Sequence, residues 1–374
     1  MIIGIDGNEA NIENRVGVNQ YAAELLCALE RLPEAQKHMW IVYLTGPPLS
    51  HLPKERDGWK YKVLPGGGFW VLRKLTPHLW LDKPRPDVFF APSHYAPPFL
   101  PMPLVVSIMD LGYLEFPEQF RKYDFYQLKY WGAWSVRIAK RVIAISEATK
   151  RDITKHYPWA KGKVDVTYLG YDKNKFKAQK SKVKIEEVRR KYGISGDYIL
   201  YLGTLKPSKN IEGLVDAFAL VTHHLSPVTL VIVGKKGWLY DSIFEKVREL
   251  GLERKVLFTD FVGEKDKLAL ISGSKVLVSP SFWEGFGLHA LEAMACGVPV
   301  VVSNIGSFPE VVGDVGILVD PADSGDIAKG IEKVVSASRS QYDEMVKKSV
   351  VQAKKFSWEK TARQTIETLE AASV

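Results

Sequence analysis

Two glutamates, Glu284 and Glu292, stand with seven residues between them in the stretch Ser279–Val312, SPSFWEGFGLHALEAMACGVPVVVSNIGSFPEVV. An ionised carboxylate only accepts hydrogen bonds, so each suits a set of hydroxyls. The apolar run Val276–Ser279 predicts a strand and Pro280–Glu284 a loop at its C-terminal end, where open parallel sheets bind ligands. Gly285 and Gly287 permit close backbone approach, and a helix is predicted from near Gly287 through Ala295. Free N–H groups of its first turn, aided by the helix dipole, suit a phosphate. The chemistry is that of a nucleotide-sugar site, with one carboxylate on the sugar, the other on the ribose and a diphosphate between them. Taken singly, Glu284 also suits a helix N-terminus, and Glu292 an exposed helix face. The combination carries the reading.

Such a site needs parallel strands, and the chain supplies two sets. The first is Ile2–Ile5, Trp40–Leu44, Val88–Ala91, Leu104–Ile108, Val142–Ile145 and Val164–Tyr168. The second is Tyr198–Leu202, Thr229–Val233, Val256–Phe258, Val276–Ser279 and Val298–Val302. Helical patterns such as Gln20–Glu30 and Ile211–Val221 fall between them. Alternation of this kind predicts an α/β chain of two doubly wound, Rossmann-like domains. A charged run, KNKFKAQKSKVKIEEVRRKYG, marks a solvated linker leading into a helix near Asp172–Tyr192. Neither opening strand is followed by GxGxxG, which argues against a nicotinamide or flavin dehydrogenase.

The net charge of +8 is spread over both halves. No recognition helix, zinc finger or RNP-like strand accompanies it, so nucleic acid is not an expected partner. Cys27 and Cys296 lie far apart, without a CxxC motif, and read as thiols in a reducing cytoplasm. No run approaches the roughly 18 apolar residues of a membrane span. MIIGIDGNEAN reads as a core strand rather than a signal peptide.

The segment EGFGLHALEAMACGVPVVVSN, with its continuation PEVVGDVGILVDP and the closing FSWEKTA at Phe356–Ala362, resembles the retaining glycosyltransferase family 4, of GT-B fold. The resemblance covers essentially the whole chain. It implies an N-terminal acceptor-binding domain at 1–172 and a donor-binding domain at 173–355, facing a central cleft. It implies also a last helix, 356–374, that crosses back to the first domain. By the same resemblance Glu284 contacts the donor sugar and Glu292 the ribose. Backbone groups of Gly285, Phe286, Gly287 and Leu288 take diphosphate and sugar. Lys209, in GTLKPSKN after Gly203 and Thr204, matches the family's diphosphate lysine; a solvated loop lysine is the alternative. Phe261 and Val262 lie near the base or pack in the core. Gly17, in RVGVNQY, matches the glycine-rich turn that approaches the diphosphate, or is an ordinary strand-to-helix turn. Ser146 and Glu147 face the cleft or cap a helix.

The chain departs from the family pattern in two ways. Asp110 matches the aspartate of a His-Asp pair, but Met109 stands where the histidine is expected, and a thioether cannot replace imidazole hydrogen bonds. His94, in APSHYAPPF, is a candidate to supply that imidazole; the alternative is a core or surface histidine. Thr204 and Ser208 occupy the places where many relatives carry an arginine, which leaves Lys206 or the helix end to compensate.

The expected reaction moves a hexose with retention. The departing diphosphate takes the acceptor's proton, and Lys209 and the helix N-terminus stabilise its charge. No DxD stands at a strand end, so no metal and no cofactor is expected. The form GTL-P-x-KN is similar to the mannosyltransferase branch, which implies GDP-mannose; UDP sugars stay open. The acceptor is a glycan or a lipid-linked molecule. Two stretches, Gly66–Pro86 and Phe120–Arg141, mix aromatic and basic residues, among them Phe69, Trp70, Leu72, Arg73, Lys74 and Trp80. They predict either peripheral contact with an anionic membrane at the inner face or buried helices with a basic outer side. The competing functions are a GT-B epimerase or phosphorylase and a non-catalytic nucleotide-sugar-binding subunit.

Overall fold

The computed structural model describes residues 1–173, 182–222 and 228–374. Part of the predicted linker, residues 174–181, lies outside the described residues, and a helix follows over Lys182–Lys191. The chain divides into two compact units, Met1–Gly170 with Ser357–Val374, and Tyr171–Phe356.

The first unit holds seven strands: β1 (Ile2–Asp6), β2 (Met39–Leu44), β3 (Trp59–Val63), β4 (Val88–Ala91), β5 (Leu104–Ile108), β6 (Arg141–Ala144) and β7 (Val164–Val166). Their order is β3-β2-β1-β4-β5-β6-β7 and every pairing is parallel. Ile3 lies opposite Trp40 on one side and Val88 on the other, so β1 is covered along both edges. β4 and β5 are buried at every residue, which is why each is a continuous apolar run. β3 escapes sequence reading because it is an edge strand; only Trp59 of WKYKV is buried, and Lys60 and Lys62 interrupt the pattern.

Helix Val18–Arg31 buries Tyr21, Ala22, Leu25, Leu26 and Leu29, one face at helical spacing. The last helix, Trp358–Ser373, begins at Ser357, whose hydroxyl accepts from the Lys360 N–H at 3.2 Å. Thr361 Oγ1 donates to the Tyr168 carbonyl at 2.6 Å. Gly170 leaves no room for a side chain here, since a Cβ would stand 2.0 Å from the Trp358 nitrogen.

The second unit holds β8 (Asp197–Leu202), β9 (Val228–Val233), β10 (Val256–Phe258), β11 (Val276–Ser279), β12 (Val300–Ser303) and β13 (Ile317–Val319). Their order, β10-β9-β8-β11-β12-β13, reverses between β8 and β11. One face carries a core that includes Leu214, Phe218, Leu230, Val278 and Ile331, from helices Ile211–Val221 and Ser324–Val335 and the strands beneath them. β12 starts two residues later than its apolar run. Pro299, which has no N–H to give, instead offers its carbonyl to Leu277 at 3.1 Å.

Candidate functional site

β8 and β11 are neighbours at the switch point of the second sheet, and the loops that follow them carry Lys209 and Glu284. The first loop closes in a short 3-10 turn, Pro207–Lys209, and the Ser208 carbonyl accepts from the Phe282 N–H at 2.9 Å, joining the two loops. Lys209 Nζ stands 2.5 Å from Glu284 Oε1, and the two side chains keep only 15% and 13% of their exposure. Ser281 Oγ donates to the same oxygen at 3.2 Å. The backbone behind Glu284 is also held, its carbonyl accepting from Ser307 Oγ at 3.0 Å and the Ser307 N–H at 3.3 Å. Burial, the largest single influence, would raise the Glu284 carboxyl, but Lys209, His289 and Lys206 together outweigh it and hold the group below its ordinary value.

Helix Leu288–Ala295 starts directly after this loop, with Gly287 as its cap at φ 83, ψ 48. A Cβ on Gly287 would also stand 2.5 Å from the Phe308 ring, so dihedral and space both demand glycine. Gly285 and Phe286 are buried, Phe286 edge-on to Phe356 at 5.8 Å, while Leu288 is partly exposed. The Phe286 side chain is thus committed to packing, and its backbone is the part suited to a ligand.

Glu292, one turn further, is buried rather than exposed, which removes the reading of it as a solvated helix residue. Its Oε1 is 2.8 Å from Lys267 Nζ on helix Glu264–Gly273, and Lys267 also reaches Glu264 at 2.9 Å. Burial disfavours the Lys267 charge, yet Glu292 and Glu264 outweigh it and keep the ammonium protonated. Sequence reasoning missed Lys267, since its 25-residue separation from Glu292 leaves no local signal.

Gly203 donates to the Val233 carbonyl at 2.9 Å, and a Cβ on Gly234 would fall 1.8 Å from the Gly203 carbonyl oxygen. The ends of β8 and β9 therefore touch beside Thr204, which is partly buried. Ser208 is buried, whereas Lys206 Nζ lies 5.2 Å from the Trp238 ring centre and adds positive potential at Glu284. Phe261 is exposed and Val262 buried, so only Phe261 offers a side chain outward.

In the first unit Gly17 caps helix Val18–Arg31 at φ 52, ψ −115, with no atom within 4 Å of a would-be Cβ. His94 and Asp110 follow β4 and β5, which are adjacent, and they meet: His94 Nε2 is 3.0 Å from the Asp110 carbonyl oxygen. A carbonyl can only accept, so Nε2 carries the proton. Asp110 Oδ1 accepts from the Gly112 N–H at 2.9 Å. Ser146 accepts from the Thr149 N–H at 3.0 Å and caps helix Glu147–His156, while Glu147 is exposed; of its two readings, the cap is the one observed.

The aromatic-basic stretches divide. Trp70 is buried and its Nε1 donates to the Leu64 carbonyl at 2.6 Å, so it belongs to the core and not to a surface stripe. Phe69, Leu72 and Trp80 are exposed, with Arg73 5.5 Å from the Phe69 ring centre. In the second stretch Tyr123, Tyr126, Tyr130 and Trp134 are exposed at helical spacing; Tyr126 and Tyr130 stack at 6.1 Å, and Trp134 lies 6.0 Å from the exposed Phe99. Among the described residues no helix is long and apolar enough to cross a membrane.

The whole chain matches solved GT-B-type structures. Sucrose-phosphate synthase from Thermosynechococcus elongatus aligns with a TM-score of 0.79 at 19% identity, over 99% of this chain and 98% of that one. Anabaena HepE, solved in complex with UDP-glucose, aligns with a TM-score of 0.74 at 23% identity, over 99% of each chain. The fold is that of a GT-B glycosyltransferase, two Rossmann-like units of parallel sheet. Residues 184–352 match the glycosyl transferases group 1 model and residues 16–175 the glycosyltransferase family 4 model. The O-antigen chain mannosyltransferase B of Escherichia coli is 32% identical over 312 residues, 82% of this chain and 78% of that protein. The chain therefore belongs to glycosyltransferase family 4, among its mannosyltransferase-like members.

Proposed function

We propose that this glycosyltransferase moves mannose from GDP-mannose to a glycan or lipid-linked acceptor, with retention at the anomeric carbon and without a required metal ion. The observation that carries the proposal is the Lys209–Glu284 pair at the β8/β11 switch point, beside the first turn of helix Leu288–Ala295. Lys209, with Lys206 behind it, is a compact cation for the leaving diphosphate, and the helix start adds N–H groups. Glu284 holds hydroxyls of the transferred sugar, Glu292 holds the ribose, and Phe261 lies against the base. A glycosidase-like double displacement would need two carboxyl groups about 5 Å apart and aimed at one carbon. Glu284 and Glu292 are instead each tied to a lysine. Retention then follows from a front-face route. The acceptor oxygen bonds to the anomeric carbon as the bond to the diphosphate breaks, and the acceptor proton passes to the departing phosphate oxygen. Of the first unit's residues, Gly17 is assigned to the diphosphate and His94 with Asp110 to the transferred sugar, His94 in place of the imidazole absent at Met109. The exposed aromatic and basic side chains near Trp134 contact an anionic membrane at the cytoplasmic face.

The mannosyl assignment draws support from the named activity of the Escherichia coli relative, and a nucleotide-sugar donor from HepE and its UDP-glucose. The test is a thermal-shift series with GDP, UDP, ADP and their common sugars on wild type and Glu292→Ala, followed by a transfer assay. A nucleotide at 100 times its Kd adds ~2.7 kcal/mol of stability. A shift with GDP compounds alone, lost in the variant and followed by mannosyl transfer, is expected. A shift with UDP compounds alone overturns the donor, and binding with neither transfer nor donor hydrolysis points to a non-catalytic subunit.

A further inference from the structure

His289 stands in the first turn of helix Leu288–Ala295, and the roles derived above do not use it. Its Nε2 is 2.8 Å from Ser279 Oγ; Ser279 Oγ is 3.2 Å from Ser281 Oγ; and Ser281 Oγ is 3.2 Å from Glu284 Oε1. Both serines are buried. The four groups form a chain, and hydrogen counting fixes its direction. A carboxylate has no proton to give, so Ser281 donates to Glu284. Each hydroxyl has one hydrogen. With its own hydrogen spent on Glu284, Ser281 can only accept from Ser279. Ser279, with its hydrogen spent in turn, can only accept from His289. The imidazole must therefore donate from Nε2.

We infer that His289 is a positioning residue for the donor carboxylate, acting through Ser279 and Ser281 to hold Glu284 Oε1 against Lys209. The histidine supplies the terminal donor without adding a charge beside Lys209: burial pushes its pKa down to about 4, so the ring is neutral at physiological pH. A cation there would compete with Lys209 for the same carboxylate, whereas a neutral Nε2–H polarises the serine chain toward it. Ser303 Oγ donates to the Ser281 carbonyl at 2.6 Å and steadies the middle of the relay. His289 also stands edge-on to Phe308, at 5.8 Å between ring centres, which limits rotation of the imidazole.

This inference rests on the reading of Glu284 as a sugar ligand, and its first test needs no substrate. With 15N-labelled histidine, NMR of the wild-type protein is expected to show His289 as the neutral Nε2–H tautomer from pH 8 down to about pH 5. A ring that titrates near 6.5, or that carries its proton on Nδ1, overturns the relay whatever the enzyme's activity. The second test is kinetic. His289→Leu and Ser279→Ala should each lower kcat about tenfold, the worth of one hydrogen bond, with little change in the Kd of the nucleoside diphosphate. The double variant should be no worse than either single one. His289→Gln, whose amide can donate from the same place, should restore most of the loss. Additive losses, or no rescue by glutamine in a protein that melts like wild type, would reduce His289 to a packing residue. If the tautomer is as expected but no sugar is transferred by wild type, the donor-site reading fails and the relay stands as structure alone.

Discussion

Lys209 and Glu284 are 75 positions apart in the chain and 2.5 Å apart in the second unit, where each closes the loop that follows one of the two strands at the sheet's switch point. The contact is a mostly buried ion pair sitting where a leaving diphosphate and a sugar are proposed to meet. Without a ligand the two charges neutralise each other. With one, the lysine is expected to turn toward phosphate, while the carboxylate keeps its bond from Ser281.

Removing one partner should have different consequences from removing the other. Lys209→Met leaves Glu284 buried without its counter-charge, so its carboxyl pKa should rise above 4.5, and unfolding should cost ~3 kcal/mol less. Transfer should fall by ~100-fold or more, as for loss of a group that stabilises transition-state charge. Glu284→Gln should keep nucleoside diphosphate affinity but lose the gain contributed by the sugar. Denaturant unfolding and calorimetry with nucleotide and nucleotide sugar separate the two.

Gly287 and Gly17 both have positive φ, but only Gly287 is also hemmed in, by the Phe308 ring. Gly17→Ala should therefore cost only backbone strain, on the order of 1–3 kcal/mol. Gly287→Ala should cost more, because the Cβ overlap adds to the strain and displaces the loop that carries Glu284. Melting temperatures rank the two; an equal loss would contradict the geometry.

Asp152 is buried in helix Glu147–His156, with its Oδ2 unbonded among the described residues. Burial first, and then the Glu115 charge, push its pKa up to about 7 from 3.8. A carboxyl whose pKa is higher folded than unfolded makes the folded state bind more protons in that interval. Stability is therefore lost as pH rises from about 4 to about 7, on the order of 3 kcal/mol in all, and is lost no further above that. Asp152→Asn removes this dependence. Its melting temperature relative to wild type should improve between pH 5 and pH 8; a constant difference would show that Asp152 does not titrate there.

Trp70 and the tyrosines of the second aromatic stretch should separate stability from membrane binding. Trp70→Ala opens the core and breaks the bond to Leu64, costing ~3–5 kcal/mol. Tyr126→Ser with Tyr130→Ser touches only exposed rings and should leave melting nearly unchanged. The same pair should weaken co-sedimentation with phosphatidylserine vesicles, an effect screened by added salt where basic neighbours contribute. Unchanged sedimentation would sink the membrane contact.

How much of this was legible in the sequence follows from the range of the forces involved. Buried parallel strands are continuous apolar runs, so β1, β4, β5 and β11 could be read locally, as could a helix opening on Gly287. Edge strand β3, half-exposed and lysine-bearing, could not. The glycine-flanked glutamates stood out because their spacing is a property of one loop and one helix. Their partners did not. Lys267 reaches Glu292 from a neighbouring helix, and His289 reaches Glu284 only through two serines whose hydroxyl directions exist once β11 and the loop after it are folded. Trp70 shows the same limit in reverse, since an aromatic next to arginine and lysine looks like surface until packing buries it. The two doubly wound sheets, the donor loop and the family can be read along the chain, because they depend on periodicity and short-range spacing. Which charges pair, which protons point where and which aromatics face water emerge from the folded chain, because they depend on contacts between residues the chain keeps far apart.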